Sequence, residues 1–525
     1  MPRVDGGNGS PPGRKGKARG GAQHLGRRAW SPRLKFRQRF GVGSGLLMFL
    51  SLQMFRTIGL TMASMGAGEG VSHAEPVQAL ITNLIPDQLE RNGVPLPVVM
   101  VVIGSMFLIT LAISRFSLKL GVPAILGVLI FGLLVDPGES PFTPTTIKWL
   151  HTLSLSMLLF YAGLKTELRS IRGFLEYGII LAVGGAIASS LFLGLIIWFL
   201  GSATASGVSL GFNQLPFGVA MAIAACLGST DAGATIGVLN GGGRILPERL
   251  QSLLEFEASV NDPAAILFLG LVVGLTTISS GSEPNAVLME QVQSFTQKIG
   301  SGLLVGLILS YLARFSLERL VHDQAQLLIL GVSISLLAYG IADLLEGSGF
   351  ISAYICGLFL ANHNYKNANI NTHSLQQTLL PFNTMTEIAV FLVFGVEMMP
   401  AKLFHVIPFG FVVAIALMLV ARPASVMLFQ AFSPFNLKEA LLISWCGLRG
   451  AVPLALSFAV IDAIPRFQGV QGKSLPVLVS NAEGIIFCVV LINLLIQGLS
   501  LRWLARWLGL NTAEDAELSH PVAGP

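Results

Sequence analysis

The chain has 525 residues, of which 53% are hydrophobic and only 12% are charged. Its mean hydropathy is +0.70, whereas a soluble globular domain usually carries about a quarter charged residues. A single core of this length would also be difficult to build in water without division into domains. The composition therefore excludes an ordinary soluble protein and predicts an integral membrane protein with apolar spans of about 20 residues each.

Residues 1–40 form a basic tail, with eleven Lys or Arg opposed only by Asp5. The stretch has too little apolar surface to fold by itself, so we predict that it is disordered. A nucleic-acid-binding tail is one interpretation, but a basic flank that keeps the N-terminus in the cytoplasm is favoured, and no nucleic-acid partner is predicted. Residues 41–74 resemble a signal peptide or signal anchor. Cleavage and retention both fit that pattern, and either leaves residues 75–94 as an extracytoplasmic linker.

The region from residue 95 to residue 507 predicts an all-α polytopic membrane domain. Thirteen hydrophobic segments can be counted in it: 95–113, 121–135, 147–164, 174–200, 215–238, 250–277, 295–314, 325–345, 349–362, 380–399, 404–422, 437–460 and 480–501. If alternate loops are cytoplasmic, the inner loops and tail hold fourteen Lys or Arg and the outer loops hold six. Because basic residues collect in cytoplasmic loops, residues 508–525 are predicted to be a short cytoplasmic tail.

Two of these segments are unusual, because each carries glycines and a charged residue in its middle. The fifth contains Gly228-Ser229-Thr230-Asp231-Ala232-Gly233, and the twelfth contains Cys446-Gly447-Leu448-Arg449-Gly450-Ala451-Val452-Pro453. They are seven segments apart and so cross the membrane in opposite directions. This predicts two inverted repeats with broken helices 5 and 12, the sequence pattern that best indicates a transport site.

Charged side chains inside the membrane are costly and are by default functional candidates. Asp231, Asp262 and Arg449 lie deep in their segments, so a functional role is favoured over a structural one. Glu255 can equally well face a cytoplasmic funnel. Glu257, in the same segment as Glu255 and Asp262, is a further candidate.

The sixth segment presents two neighbouring polar faces if it is helical. Glu255, Ser259 and Asp262 share one stripe, whereas Glu257 and Asn261, four residues apart, share the other. Pro263 would loosen the hydrogen bonding one turn earlier and free carbonyl oxygens near Asp262. The face with Asp262 and Ser259 could then hold a cation while the second anchors a fixed partner, and we assign supporting roles to Glu255 and Asn261.

Three stretches together resemble the signature sequences of NhaP-type monovalent cation:proton antiporters. They are Thr230-Asp231, Glu257-Ala258-Ser259-Val260-Asn261-Asp262 and Gly447-Leu448-Arg449-Gly450-Ala451-Val452-Pro453, and the resemblance covers about residues 95–505. It implies that Asp262 and Asp231 line a site for Na⁺ or K⁺, with Thr230 contributing an oxygen ligand. It also implies a structural ion pair between Glu257 and Arg449.

The same resemblance bears on ion selectivity and charge balance. Asn261 stands where the charge-moving branch of the superfamily has a second aspartate. Sodium-selective members usually have serine directly after the glutamate, where this chain has Ala258, and Ser259 lies about 100° away around the helix. The stretch therefore also resembles that of potassium:proton members.

These observations predict a secondary active transporter in the bacterial inner membrane that exchanges one monovalent cation for one proton without net charge movement. Na⁺ is the favoured ion and K⁺ the alternative. A cation channel is less favoured because no repeated carbonyl filter is present, and no motif supports an intramembrane enzyme. No cofactor is predicted besides the transported ions, and the resemblance implies a homodimer.

Overall fold

The computed structural model describes residues 100–115 in part, 123–134, 144–203, 215–240, 244–276, 284–363, 365, 372–398, 400–467, 475–510 and 512–513. All of them belong to the unit that spans Gln53–Pro525. The basic tail, the signal-like segment and the linker predicted for residues 1–94 lie outside the described residues. The same is true of the tail beyond residue 513.

The described residues are predominantly helical. In chain order the helices are α1 Ala124–Leu134, α2 Pro144–Lys165, α3 Leu175–Ile179, α4 Ala186–Ala203, α5 Phe217–Cys226, α6 Ala232–Asn240, α7 Glu248–Thr276, α8 Pro284–Arg319, α9 Gln324–Leu344, α10 Gly349–Ala361, α11 Thr372–Glu397, α12 Pro400–Ala416, α13 Arg422–Leu428, α14 Leu437–Trp445, α15 Ala451–Ala463 and α16 Leu475–Trp507. Two short strands, β1 Arg244–Ile245 and β2 Thr512–Ala513, pair antiparallel and join the α6–α7 connection to the segment after α16.

The prediction of an all-α polytopic membrane protein is confirmed. Within the described part of the chain, eight helices are long and apolar enough to cross a membrane, and three shorter apolar helices accompany them. The longer ones include α7, whose 29 residues extend over about 44 Å and exceed the hydrocarbon thickness. The count of thirteen spans stays a prediction.

Irregular helix geometry occurs at corresponding places in the two predicted repeats. The fifth and twelfth segments are each interrupted, between α5 and α6 and between α14 and α15. The fourth and eleventh segments, also seven apart, each contain a π-helical turn, Ile180–Gly185 between α3 and α4 and Leu417–Ala421 between α12 and α13. Such turns are rare overall but frequent at functional sites. Their matched positions support the predicted repeat.

Polar caps determine where several helices begin. The Asp323 side chain accepts a hydrogen bond of 2.8 Å from the Gln326 backbone N–H at the start of α9. Asn436 and Glu439 form a reciprocal capping box at the start of α14, with bonds of 2.9 and 2.7 Å. These side chains satisfy backbone donors that the first helical turn leaves free.

Small residues allow helices to pack closely around the site. Gly163 of α2 lies against the backbone of Tyr354, and Gly357 of α10 lies against the backbone of Phe160. A β-carbon at either glycine would collide with the facing helix. Close contact at small residues is how membrane helices gain packing energy without a hydrophobic driving force. The pair fixes α10 beside α2.

Candidate functional site

The two interrupted helices cross each other at their breaks. The first break comprises Leu227–Asp231 and the second comprises Cys446–Gly450. The Asp231 backbone N–H donates a 2.7 Å hydrogen bond to the Leu448 carbonyl, and the Thr235 hydroxyl donates one of 3.0 Å to the Cys446 carbonyl. Each break therefore provides partners for backbone groups that the other one frees.

Asp231 lies between the N-terminal ends of two half-helices. Its Oδ1 accepts a 3.0 Å hydrogen bond from the Ala234 N–H and so caps α6. Gly450 directly precedes α15, and a β-carbon there would come within 2.5 Å of Asp231 Oδ2. Only glycine permits this approach. Because helix N-termini carry partial positive charge, both half-helices stabilise an anionic group at Asp231.

Arg449, in the second break, contacts the C-terminal end of α5. Its Nη1 donates to the carbonyl oxygens of Gly228 and Ser229, at 3.0 and 2.5 Å, just beyond the C-terminal end of α5. Its backbone N–H donates to Asn493 Oδ1 at 2.9 Å. The guanidinium is fully buried and neutralises the partial negative charge of free carbonyls. It thereby fixes the first break against the second.

The pairing predicted between Glu257 and Arg449 is wrong in this structure. Glu257 instead pairs with Arg422, whose Nη2 lies 2.7 Å from Oε1 and 2.8 Å from Oε2. The two side chains are only 3% and 2% exposed. Arg449 instead directs its Nη1 to the carbonyls of the first break, and Arg422 occupies both carboxylate oxygens of Glu257. The anchor of α7 is thus the segment that begins α13 rather than the second break.

Arg422 was not predicted as a site residue, because the sequence placed it at a span end among the cytoplasmic basic residues. The helix does not end there, since the π-helical turn Leu417–Ala421 leads directly into α13. The extra residue in such a turn rotates the following side chains around the helix. Arg422 is consequently carried into the interior. The sequence did offer one signal: Arg422 directly continues an apolar segment, and no loop residue separates the two.

Asp262 and Asn261 connect α7 to the first break. The Ser229 hydroxyl donates to Asp262 Oδ1. Asn261 Nδ2 donates to Thr230 Oγ1 at 2.5 Å, and its Oδ1 accepts from the Thr230 N–H at 3.3 Å. Asp262 also interacts electrostatically with Asp231. Two carboxylates and two hydroxyls thus meet where the helices are interrupted, a set of oxygen groups suited to an alkali cation.

Asn261 also links this group to the buried ion pair. Its Nδ2 lies 3.4 Å from Glu257 Oε1, and Arg422 contacts both oxygens of that carboxylate. The two polar faces of α7 therefore have different partners: Asp262 contacts the break directly, and Glu257 faces the arginine. The helix runs through Pro263 without interruption, and the proline has no N–H to offer the Ser259 carbonyl.

Two predicted site residues are not brought to this group by their hydrogen bonds. The Ser259 hydroxyl donates to the Glu255 carbonyl within α7 at 2.7 Å. The Glu255 carboxylate accepts from Gln251 Nε2 at 3.1 Å and is partly exposed. Both contacts are local to the first half of α7. The supporting role assigned to Glu255 and the ligand role assigned to Ser259 stay predictions.

Glu387 is a second residue of these surroundings that was not predicted. It lies in α11, inside the predicted span 380–399, and carries the same signal of an intramembrane charge that identified Asp231 and Asp262. Glu387 interacts electrostatically with Asp231 and with Lys165, the last residue of α2. A third carboxylate and a lysine therefore belong to the electrostatic surroundings of the crossing.

The fold and the crossing define a multi-pass, all-α membrane protein whose polar centre is built from two interrupted helices. Residues 103–507 match the family model described as the transmembrane sodium/hydrogen exchanger. The chain belongs to this family, which confirms the resemblance found in the sequence.

Individual relatives agree with that assignment. The K⁺/H⁺ antiporter NhaP2 of Shewanella sp. (strain ANA-3) is 31% identical over 406 residues, which cover 76% of this chain and 65% of that protein. The chain thus spans about 65% of the length of such relatives. The Na⁺/H⁺ antiporter NhaS2 of Synechocystis sp. is 26% identical over 416 residues, 77% of this chain and 70% of that protein.

The fold is similar to that of a solved antiporter structure. The sodium proton antiporter MjNhaP1 from Methanocaldococcus jannaschii, determined at pH 8, superimposes with a TM-score of 0.64 and 21% sequence identity. The similarity covers 78% of this chain and 99% of that structure.

Proposed function

We propose that the protein is a secondary active transporter that exchanges a monovalent cation for a proton at Asp262. The observation that carries this proposal is the meeting of Asp262 with the first break, where Ser229 donates to its carboxylate and Asp231 lies nearby. The carboxylate can hold a proton or a cation, but not both. Either occupant neutralises it, and the neutral site crosses a low-dielectric barrier more easily than the empty anion.

Exchange of one cation for one proton, without net charge movement, is the stoichiometry we infer. Glu257 is matched by Arg422 across two short contacts. Asn261 is neutral and is engaged by Thr230. Asp262 is then the one carboxylate of α7 near the break that lacks a matching arginine among the described residues, which supports a single exchanging unit.

For the transported ion, we favour K⁺ over Na⁺ as the first candidate. Sodium-selective members usually have a serine at the position of Ala258, and Ser259 is the neighbouring hydroxyl that could replace it. Ser259 donates its hydroxyl proton to the Glu255 carbonyl and makes no contact with Asp262 among the described hydrogen bonds. K⁺ is more weakly hydrated than Na⁺ and loses its water at lower cost, so it depends less on such an additional ligand. Na⁺ is kept as the alternative.

The proposal includes an inner-membrane location, a cytoplasmic C-terminus and a homodimer, each of which is supported by the charge pattern of the loops or by the resemblance to the antiporter family.

Alternative classes are a cation channel and an intramembrane enzyme. A channel would produce single-channel currents in planar bilayers, whereas an exchanger at this site would not. The two broken helices hydrogen-bond to each other where they cross, which favours the exchanger over an open channel.

The test is proton flux in proteoliposomes that contain the full-length chain and a pH-sensitive dye. Li⁺, Na⁺, K⁺ and choline are added in turn at constant ionic strength. We expect a dye response to K⁺, a smaller or comparable one to Na⁺, and none to choline. Asp262→Asn proteoliposomes are the matched control for leak. No cation-dependent flux in a folded, correctly inserted protein would contradict the proposal.

A further inference from the structure

A cavity of about 230 Å³ lies between α7, α8, α9 and the start of α10. Its walls combine apolar side chains with polar ones, among them Gln291 and Ser294 of α8 and Tyr339 of α9. Lys298 and Asp343 also line it, and both are exposed. The cavity therefore lies toward the face where α7 and α9 end and α10 begins, which the predicted topology places outside the cytoplasm.

The cavity is aligned with the candidate site along α7. Ile266 and Gly270 line it, and they follow Asp262 at intervals of four residues, on the same stripe of the helix. Ile266 is about 6 Å further along the axis than Asp262. The inner end of the cavity thus lies roughly one helical turn from the carboxylate.

A second helix repeats this relation. Phe350 of α10 lines the cavity, and its ring lies 4.9 Å from that of Tyr339. Tyr354, one turn further along α10, interacts electrostatically with Asp262. Two helices that contribute to the cavity therefore lead to the same carboxylate. Ile266 and Phe350 are the lining residues nearest to Asp262 and Tyr354 along these two helices.

We propose that this cavity is the extracytoplasmic vestibule through which cations and protons reach Asp262, and that Asp343 concentrates cations in it. A carboxylate in a confined, partly apolar cleft raises the local cation concentration more than one on open surface. Lys298 in the same lining weakens that field, so a cation is attracted without being trapped. The inference rests on the proposed exchange activity for its transport role, but the access of water to the cavity and the effect of Asp343 on cations can be tested separately.

The vestibule is tested with a single introduced thiol, Gly270→Cys. A β-carbon at Gly270 meets no atom within 4 Å, so the substitution fits the open space. The four native cysteines are buried, and the unmodified protein should not react. Gly300→Cys is the control: it lies on α8 two residues after Lys298, about 200° around the helix, and also has no neighbour within 4 Å. Thiolates in water react, whereas thiols facing lipid do not.

We expect a membrane-impermeant cationic thiosulfonate to modify Gly270→Cys from one side of the vesicle only. The modification of Gly300→Cys should be at least tenfold slower. Modification of Gly270→Cys should also reduce the rate of exchange at least tenfold. Modification is read by mass. Adding Asp343→Asn should lower the ratio of cationic to anionic reagent rates about three- to tenfold, and adding Lys298→Gln should raise it. Glu346→Gln, the same charge change on a neighbouring exposed residue outside the cavity lining, should have a smaller effect.

Absence of modification from either side, or modification that leaves exchange unchanged, would overturn the vestibule. An unchanged reagent ratio in Asp343→Asn would overturn the role of that carboxylate. These readouts are distinct from failure of the proposed function, because labelling and the reagent ratio are measured even in a protein that moves no ions. In that event only the flux assay fails, and the cavity is assigned to a site of different function.

Discussion

The two breaks have the same backbone arrangement and opposite chemistry. In each, an apolar helix stops, a few residues run without helical hydrogen bonds, and a second half-helix starts. The first break supplies Ser229, Thr230 and Asp231, which contact α7 or lie beside its carboxylate. The second supplies Arg449, which donates to carbonyls of the first break. The two breaks thus have different roles: the first presents oxygen groups, and the second holds the crossing together.

This difference separates charge that can be exchanged from charge that is fixed. Arg449 and the Glu257–Arg422 pair are buried and engaged in short contacts. Asp262, in contrast, is partly exposed and has a hydroxyl rather than a cation as its hydrogen-bond partner. Fixed charges position the helices, and the unmatched carboxylate carries the proposed reaction. Substitutions on the two sides of this division should therefore affect transport and stability differently.

The largest effect is expected from Asp262→Asn. The amide imitates a protonated carboxyl but cannot release a proton or bind a cation by charge, so cation-dependent flux should be abolished while the protein still folds. Glu248→Gln is the matched control on the same helix, since that carboxylate lies exposed in the first turn of α7; it should keep most of its activity. Flux near the unmodified rate in well-folded Asp262→Asn would falsify the assignment of the exchanging group.

The second effect concerns the stability of the fixed charges. Glu257→Gln or Arg422→Gln strands one member of a buried pair, which typically costs about 3–5 kcal/mol. The double variant should lose clearly less than the sum of the two single losses. Thermal unfolding in detergent measures these differences.

Arg449 provides the comparison for that cycle. Arg449→Gln should also destabilise the protein, because it leaves the Gly228 and Ser229 carbonyls without their donor. Its coupling to Glu257→Gln should, however, be clearly smaller than that of Arg422→Gln, since Arg449 interacts with Glu257 electrostatically but has other hydrogen-bond partners. Strong coupling of Glu257 to Arg449 and none to Arg422 would restore the pairing expected from sequence.

A third prediction tests the close contact between the breaks. Gly450→Ala places a β-carbon 2.5 Å from Asp231 Oδ2 and 2.8 Å from the Asp231 β-carbon, so Asp231 must move. Displacement of a site group by about 1 Å can reduce activity on the order of 100-fold, and we expect a loss of that order in initial flux. Gly237→Ala in α6 has no atom within 4 Å and should leave flux unchanged while stabilising the helix by about 1 kcal/mol. Equal activity of both variants would show that the approach at Gly450 is not required.

Much of this organisation could be predicted from sequence because membrane helices are recognisable by their apolar length and because a charge inside one is costly. The positions of both breaks, and of Asp231 and Asp262, followed from those two rules. The partner of Glu257 did not. Its identity depends on a π-helical turn before Arg422, and no composition rule locates the single extra residue in such a turn.

The hydrogen-bond partners of individual hydroxyl groups could not be predicted from the sequence either. Ser229 lies in a non-helical stretch, where periodicity gives no direction, and it is this serine that bonds to Asp262. Ser259 shares a helical stripe with Asp262, yet its hydroxyl returns to its own backbone, as serines in helices commonly do. Glu387 is a different case, since the rule that identified the other intramembrane charges applied to it equally.

The smallest expected effect is that of the membrane potential, and it decides whether the division between fixed and exchanged charge is complete. If Asp262 alone exchanges occupants and the arginines stay matched, one charge enters as another leaves, and turnover should change less than about twofold over 100 mV. One uncompensated charge crossing that field is worth about 2.3 kcal/mol, enough to alter rates several-fold. With Na⁺ as substrate, the potential is set by valinomycin and a potassium gradient. If K⁺ is the transported ion, a gradient of a permeant anion such as thiocyanate replaces it. Initial rates of proton exchange are compared at about 0 and 100 mV, with Asp262→Asn vesicles to subtract leak.

A several-fold dependence would mean that a second carboxylate titrates during the cycle. Asp231 and Glu387, which interact electrostatically with each other, are then the candidates, and Glu387→Gln should remove the dependence if Glu387 is the one.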